Sequence, residues 1–421
     1  MKRLLFILSI CMTVGATAQT LEECQQAAER NYPLIVQHDL IAHTTDLTVD
    51  NIQKGWLPQL TATAQATYQS AVTAWPDEMK GLMQQMGVDM KGLAKDQYRI
   101  GIDLQQTVFD GGMINAQKQV AREQGAVKQA QLDVDLYQVR QRVNEMYFGL
   151  LLLDDQIRLN GDLQKLLTAS EKKLTSMVKH GTAAQCDLNN VIAERLNVVQ
   201  QETTLESQRR VLLAMLGTFC GLEMNQVIKP AAIESVEGNN RPELRLIDSQ
   251  LRLADAQDKA LKAALLPRVG VFAQGYYGYP GYNMFKDMMG RDWSWNGMVG
   301  ARLTWNIGAL YTHRNDKAKV QLQRETAQNQ REVFLFNNRL EQMQHNEAIE
   351  RYRSLMSQDQ EIIALRGQVR KAAESKLSHG IIDVNDLLRD INSENAARVQ
   401  QSIHEIEMLK QMYDLKYTTN N

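Results

Sequence analysis

Residues 132–157 read LDVDLYQVRQRVNEMYFGLLLLDDQI, and their spacing decides the fold. Leu132, Leu136, Val139, Val143, Met146, Leu150, Leu153 and Ile157 follow one another at alternating intervals of four and three. That is the apolar seam of a coiled coil, which repeats every 3.5 residues on average. The seam falters at Asn160 and Gln164 and resumes at Leu167, Leu174 and Met177. Val191, Val198, Leu205 and Leu212 continue at seven-residue intervals on a returning arm. Phe336, Leu340 and Met343, then Ile349, Tyr352 and Met356, show the same habit, with Val399, Ile403 and Ile406 on their return. Proline, the residue that most reliably breaks a helix, is absent from Asp77 to Lys229 and after Pro280. A helix from Gly112 to Gly181 would run roughly 100 Å. A compact globule of this length has a radius of gyration of only about 22 Å, so the sequence predicts an elongated chain built on two long helical hairpins.

The rest of the composition narrows the setting. The 421 residues are 44% hydrophobic and 23% charged, which excludes a disordered chain. A mean hydropathy of -0.38 excludes a polytopic helical membrane protein. A net charge of -2 supplies no basic field for phosphate, so no nucleic-acid partner is expected. Lys2 and Arg3 precede an apolar stretch from Leu4 to Val14 and the small-residue site Ala16-Thr17-Ala18. Residues 1–18 therefore read as an export signal, too short in its apolar part to span a bilayer as a helix. Cys11 follows the bulky Ile10 and makes a poor lipidation site. Beyond the signal stand Cys24, Cys186 and Cys220, an odd number without metal spacing. They read as buried or indifferent thiols and not as a closed disulfide framework. No serine elbow, phosphate loop or HExxH motif is present, so no enzymatic activity and no cofactor is expected.

Punctuation reveals an internal repeat. Trp56-Leu57-Pro58 is echoed by Leu265-Leu266-Pro267, Gly101 to Leu104 by Gly300 to Leu303, and Phe109 to Gly112 by Trp305 to Gly308. Lys179-His180-Gly181 recurs as Ser378-His379-Gly380, and Asp187-Leu188 as Asp386-Leu387. The order of landmarks predicts repeat 1 over residues 19–228 and repeat 2 over 229–421. Each has a helix, two strands and a long hairpin, the hairpins at about 112–217 and about 308–417. The strands are expected at about 60–70, 98–109, 268–278 and 295–306, where apolar and polar residues alternate. Tyr68, Phe109, Tyr277, Trp295 and Trp305 stand at their ends, as the aromatic girdles of an outer-membrane barrel would. Four strands cannot close a barrel, and an open edge does not survive in lipid, so several chains must contribute. A run of Met79, Met83, Met86 and Met90 in the intervening loop suggests a small amphipathic helix.

In this doubled order of parts the chain resembles the TolC-like outer-membrane efflux proteins, the outer membrane factor family. The resemblance rests on Leu57-Pro58 and Leu266-Pro267 before a strand, and on Gly181 and Gly380 with an Asp six residues on. Asn31-Tyr32-Pro33 and Leu216-Gly217 fit as well. It implies a mixed, mainly α fold: a homotrimeric twelve-stranded outer-membrane β-barrel, four strands per chain, continuous with a coiled-coil periplasmic tunnel. It further implies an exit duct in contact with outer-membrane lipid, joined by a periplasmic adaptor to an inner-membrane RND or ABC-type transporter. Conduction of exported protein in a type I secretion system is the alternative, and a periplasmic adaptor or scaffold is a more distant one. Residues carried over are His180, Gly181 and Thr182, with His379, Gly380 and Ile381, as adaptor contacts at the hairpin tips. Asp386 would belong to an acidic ring at the periplasmic mouth. There the next acidic position of the pattern is occupied by Arg389, with Asp390 one place further on.

Overall fold

The computed structural model describes residues 19–89, 91–233 and 238–420; the expected signal at 1–18 and Met90 lie outside them. The first half runs α1 (Leu21–Asn31), α2 (Val36–Gln53), β1 (Gln59–Tyr68), α3 (Asp77–Gln85), β2 (Asp96–Phe109), α4 (Met113–Lys179) and α5 (Gln185–Cys220). The second half runs α6 (Pro242–Ala264), β3 (Arg268–Tyr279), α7 (Met284–Met289), β4 (Ser294–Thr304), α8 (Ala309–Ser378) and α9 (Val384–Thr419). The chain is mainly helical, and no described helix is long and apolar enough to cross a membrane. It divides into two compact units, one of residues 39–129 and 247–329, the other drawing on the segment up to His38, on 130–246 and on 330–421.

The first unit carries the sheet. Its strands pair antiparallel in the order β1-β2-β3-β4, leaving β1 and β4 as edges. Register sorts the side chains by face, because directly paired residues share one and neighbours along a strand alternate. Leu60, Leu104, Ala273 and Val299 form one row, and Ala64, Ile100, Tyr277 and Trp295 another, on an apolar face. Thr61, Asp103, Gln274 and Met298, then Gln65, Arg99, Gly278 and Ser294, form rows on the opposite, more polar face. Near the end of β2 the register shifts between Thr107 and Phe109. This bulge moves the phase by one residue and sets Phe109 in a row with Val269 and Leu303 on the apolar side. Asp110 then converts strand into helix. Its carboxylate accepts the N–H of Gly112 at 2.8 Å and of Ile114 at 2.6 Å, capping α4, while Gly111 and Gly112 take positive φ.

The second unit is helical and has two cores. In one, Val139, Val143, Met146 and Leu150 of the seam meet Leu21, Cys24 and Ala28 of α1, Leu216 and Cys220 of α5, and Ile406, Leu409 and Met412 of α9. In the other, Leu163, Leu167 and Leu174 of α4 pack with Leu188 and Val191 of α5, Ala373 and Leu377 of α8, and Val384, Leu387 and Ile391 of α9. The apparent break in the seam is no break. Asn160 is buried and donates to the Val198 carbonyl at 3.1 Å, and Gln164 bridges Asn160 and Glu202 at 2.9 and 2.6 Å. A polar rung holds α4 to α5 where the apolar one is missing.

Candidate functional site

The two hairpin tips have one construction. At the first, Gly181 adopts φ 72° and its N–H bonds the Val178 carbonyl, while Thr182 N–H reaches back to Met177. At the second, Gly380 adopts φ 68°, with Gly380 N–H on Leu377 and Ile381 N–H on Lys376. Both are Schellman caps, in which only glycine takes the left-handed turn without strain. A Cβ at either glycine would meet nothing within 4 Å, so neither is required by packing. His180, Gly181, Thr182, His379, Gly380 and Ile381 are all exposed. The residues beneath, Met177, Val178 and Ala183 with Ile382 and Leu388, pack against one shared core, so the tips stand together. Asn190 donates to Asn385 at 3.3 Å and Asn392 to Glu194 at 2.8 Å, joining α5 to α9 behind them. Among the described residues no group of three or more His, Cys, Asp or Glu is placed to hold a metal ion.

Just past the second tip, Asp383 caps α9 by accepting Asp386 N–H at 2.9 Å. The Asp386 side chain in turn receives Arg389 at 3.3 Å, with both side chains well exposed. Asp390 is half-buried. The departure noticed in the sequence therefore sits against the acid it follows and offsets its charge. Asp187, at the same place in the first hairpin, accepts the Ala184 N–H at 3.2 Å.

Above the tips lies a feature the sequence reading missed. Glu171 on α4 accepts from Arg195 on α5 at 2.6 Å. Arg370 on α8 donates to Glu394 on α9 at 2.5 Å, each member 199 positions after its counterpart and opposite in sign. Glu394 is buried and also receives Arg398 at 2.7 Å, while Arg370 pairs with Glu374 as well. Burial works against ionisation of Glu394, but the Arg398 and Arg370 hydrogen bonds outweigh it and hold its carboxyl below the ordinary value of 4.5. A search of the repeat offset for charges, and not only for Gly and Pro, would have found the pair.

On the sheet, Tyr68, Tyr277 and Trp295 fall on the apolar face near the β1–β2 and β3–β4 loops, and Phe109 falls on that face at the opposite end. Trp305 lies one residue beyond β4 and donates its indole N–H to the Leu265 carbonyl at 2.9 Å. Near the loops the rings cluster: Tyr277 lies 5.2 Å from Trp295 and 5.4 Å from Trp293, and Tyr98 stacks on Trp293 at 6.0 Å. Tyr98 and Trp293 were not among the girdle residues expected from sequence. The face is open to its surroundings: Val299 is 81% and Trp295 82% exposed. On the other face the Arg99 guanidinium lies 4.1 Å over the Tyr276 ring.

Residues 24–221 match the family described as outer membrane efflux protein. No curated protein matches the chain in sequence. Among solved structures it is similar to VceC, an outer membrane protein of Vibrio cholerae, with a TM-score of 0.67 at 12% identity over 95% of this chain and 96% of that one. The open-state MtrE outer membrane channel of Neisseria gonorrhoeae gives 0.65 at 14% identity, covering 95% and 89%. The CmeC outer membrane channel of Campylobacter jejuni gives 0.65 at 12%, covering 95% and 85%. At such identities it is the fold that is shared.

Proposed function

We propose, from the match of residues 24–221 to the outer membrane efflux protein family and from the shared fold, that the chain is the outer-membrane exit duct of a tripartite efflux pump. The observation that carries the reading is a four-stranded sheet with one exposed apolar face, one polar face and two unpaired edges. Such a sheet is unstable in water and cannot stand open in lipid. Three copies joined edge to edge close a twelve-stranded barrel whose apolar face meets outer-membrane lipid and whose polar face lines a water-filled lumen. A second uncovered surface favours the same homotrimer. On α8, Val333, Phe336, Leu340 and Met343 are spaced as a coiled-coil seam yet are 48–64% exposed, so their covering helix belongs to another copy.

In this reading the export signal at 1–18 delivers the chain, and the long helices form the wall of a periplasmic tunnel. His180, Gly181, Thr182, His379, Gly380 and Ile381 meet a periplasmic adaptor. Asp386 and Asp390, with Arg389 between them, ring the mouth. The duct is passive; an RND or ABC-type transporter in the inner membrane supplies the energy, and small molecules are the cargo. Detergent extraction of outer membranes, sizing of the extracted species and single-channel recording test this. The expected result is a detergent-dependent trimer that conducts. A protein recovered as a monomer without detergent would refute it.

A further inference from the structure

We propose that Cys24 and Cys220 are joined by a disulfide bond once the chain is exported, fastening α1 to the end of α5. The inference rests on the exported location proposed above. Residues 196 positions apart in sequence lie side by side: the Cys220 thiol donates to the Cys24 carbonyl oxygen at 3.4 Å. The neighbouring Cys220 side chain, together with burial, raises the Cys24 thiol and leaves Cys220 the more acidic partner. The frame around them is rigid. Leu21, Cys24 and Ala28 share the buried face of α1, Asn31 donates to the Thr218 and Phe219 carbonyls at 3.1 and 3.2 Å, and Tyr32 stacks on Phe219. Cys186 is excluded as a rival because it lies at the start of α5, 34 residues from Cys220 and so about 50 Å away along the helix. The odd count of thiols therefore resolves into one pair and one exposed remainder.

The step needs a disulfide-bearing oxidant of the exported compartment. The thiolate of one cysteine attacks a sulfur of the oxidant's disulfide, forming a mixed disulfide and releasing one oxidant thiolate. The second cysteine's thiolate then attacks the chain's own sulfur in that mixed disulfide, forming the Cys24–Cys220 bond and expelling the other oxidant thiolate. The chain loses two electrons and two thiol protons, and the oxidant ends as a dithiol. Since Cys24 and Cys220 are 0% and 3% exposed, the exchange takes place before α1 docks, and docking then shields the bond.

Outer-membrane protein is acid-quenched, denatured without reductant, labelled with a maleimide mass tag and analysed by mass spectrometry. The expected result is one label per mature chain, on Cys186, rising to three after reduction, with a disulfide-linked peptide pair containing Cys24 and Cys220. Cys186→Ser leaves that linked pair intact, whereas Cys24→Ser frees Cys220 for labelling. Because the wild-type assay reads denatured protein, it does not depend on a variant folding. Three labels before reduction, on protein recovered in the outer membrane, overturn the bond and leave the location standing. Four labels, Cys11 included, on protein that never left the cytoplasm overturn both.

Discussion

The mirrored ion pairs predict that charge sign, and not residue identity, is what each hairpin reads at this level. Glu171 and Arg195 meet at 2.6 Å with their side chains 26% and 29% exposed, so they are neither buried nor freely solvated. Two unit charges about 4 Å apart interact by about 1 kcal/mol in water and about 4 kcal/mol at an effective dielectric of 20. After side-chain entropy and residual solvation, about 1 kcal/mol of attraction is a fair net value. Glu171→Arg replaces that attraction by a comparable repulsion, so it should cost about 2 kcal/mol, and Arg195→Glu the same. Combining them restores an ion pair with the polarity that Arg370 and Glu394 already use. The double variant should therefore lie within about 0.5 kcal/mol of wild type, a coupling of about 4 kcal/mol. Urea unfolding of the detergent-purified protein, followed by far-ultraviolet circular dichroism, measures all four species. If the double variant loses as much stability as the two single variants together, the charges do not read each other and the reasoning fails.

Four further outcomes are expected. Leu167→Ala, at a fully buried site among four helices, should cost about 3–4 kcal/mol, whereas Leu196→Ala, half exposed, should change unfolding by less than about 0.5 kcal/mol. Glu394 is held below its ordinary 4.5 in the folded chain, so its contribution is complete above that value and is lost as pH falls through the folded value. Stability measured from neutral pH to about pH 3 should consequently fall more steeply in wild type than in Glu394→Gln; parallel curves would contradict this. Gly181→Ala and Gly380→Ala should each cost about 1 kcal/mol for the left-handed turn, while Leu at both should leave trimers intact and abolish efflux; surviving efflux would remove the tips as the docking surface. Arg389→Ala should increase cation selectivity in single-channel recordings by freeing Asp386, and Asp386→Ala should lower it and relieve divalent block; unchanged selectivity in both would remove the acidic ring.

The sequence made the long helices and the strands legible because each rests on a period that burial enforces. Val143 and Leu150, placed in the seam by spacing alone, are fully buried, and the alternating runs pair as a single sheet. Polar members of a pattern were less legible. Asn160 looked like an interruption, although an amide can occupy a seam position when a facing carbonyl, here that of Val198, accepts its N–H. The bulge after Thr107 was invisible to a strict period of two, and it decides which face Phe109 takes. Glu171, Arg195, Arg370 and Glu394 were overlooked for a different reason. Each charge alone resembles any solvated helix position, and only the inverted sign at a fixed offset marks them as partners.

The exposed seam of α8 shows what a period can and cannot say. Val333, Phe336, Leu340 and Met343 carry the same alternation of three and four as Val139, Val143, Met146 and Leu150. One set is buried by helices of its own chain, and the other is uncovered in a single copy. Periodicity reports that a helix face must be covered, but is silent on whose helix covers it. Strand alternation has the same blind spot at an edge, since β1 and β4 have the backbone of a paired strand and no neighbour beyond. Two unrelated elements thus leave the same kind of debt, one in apolar area and one in hydrogen bonds. A head-to-tail ring of identical chains settles the sheet by pairing β4 of each copy with β1 of the next.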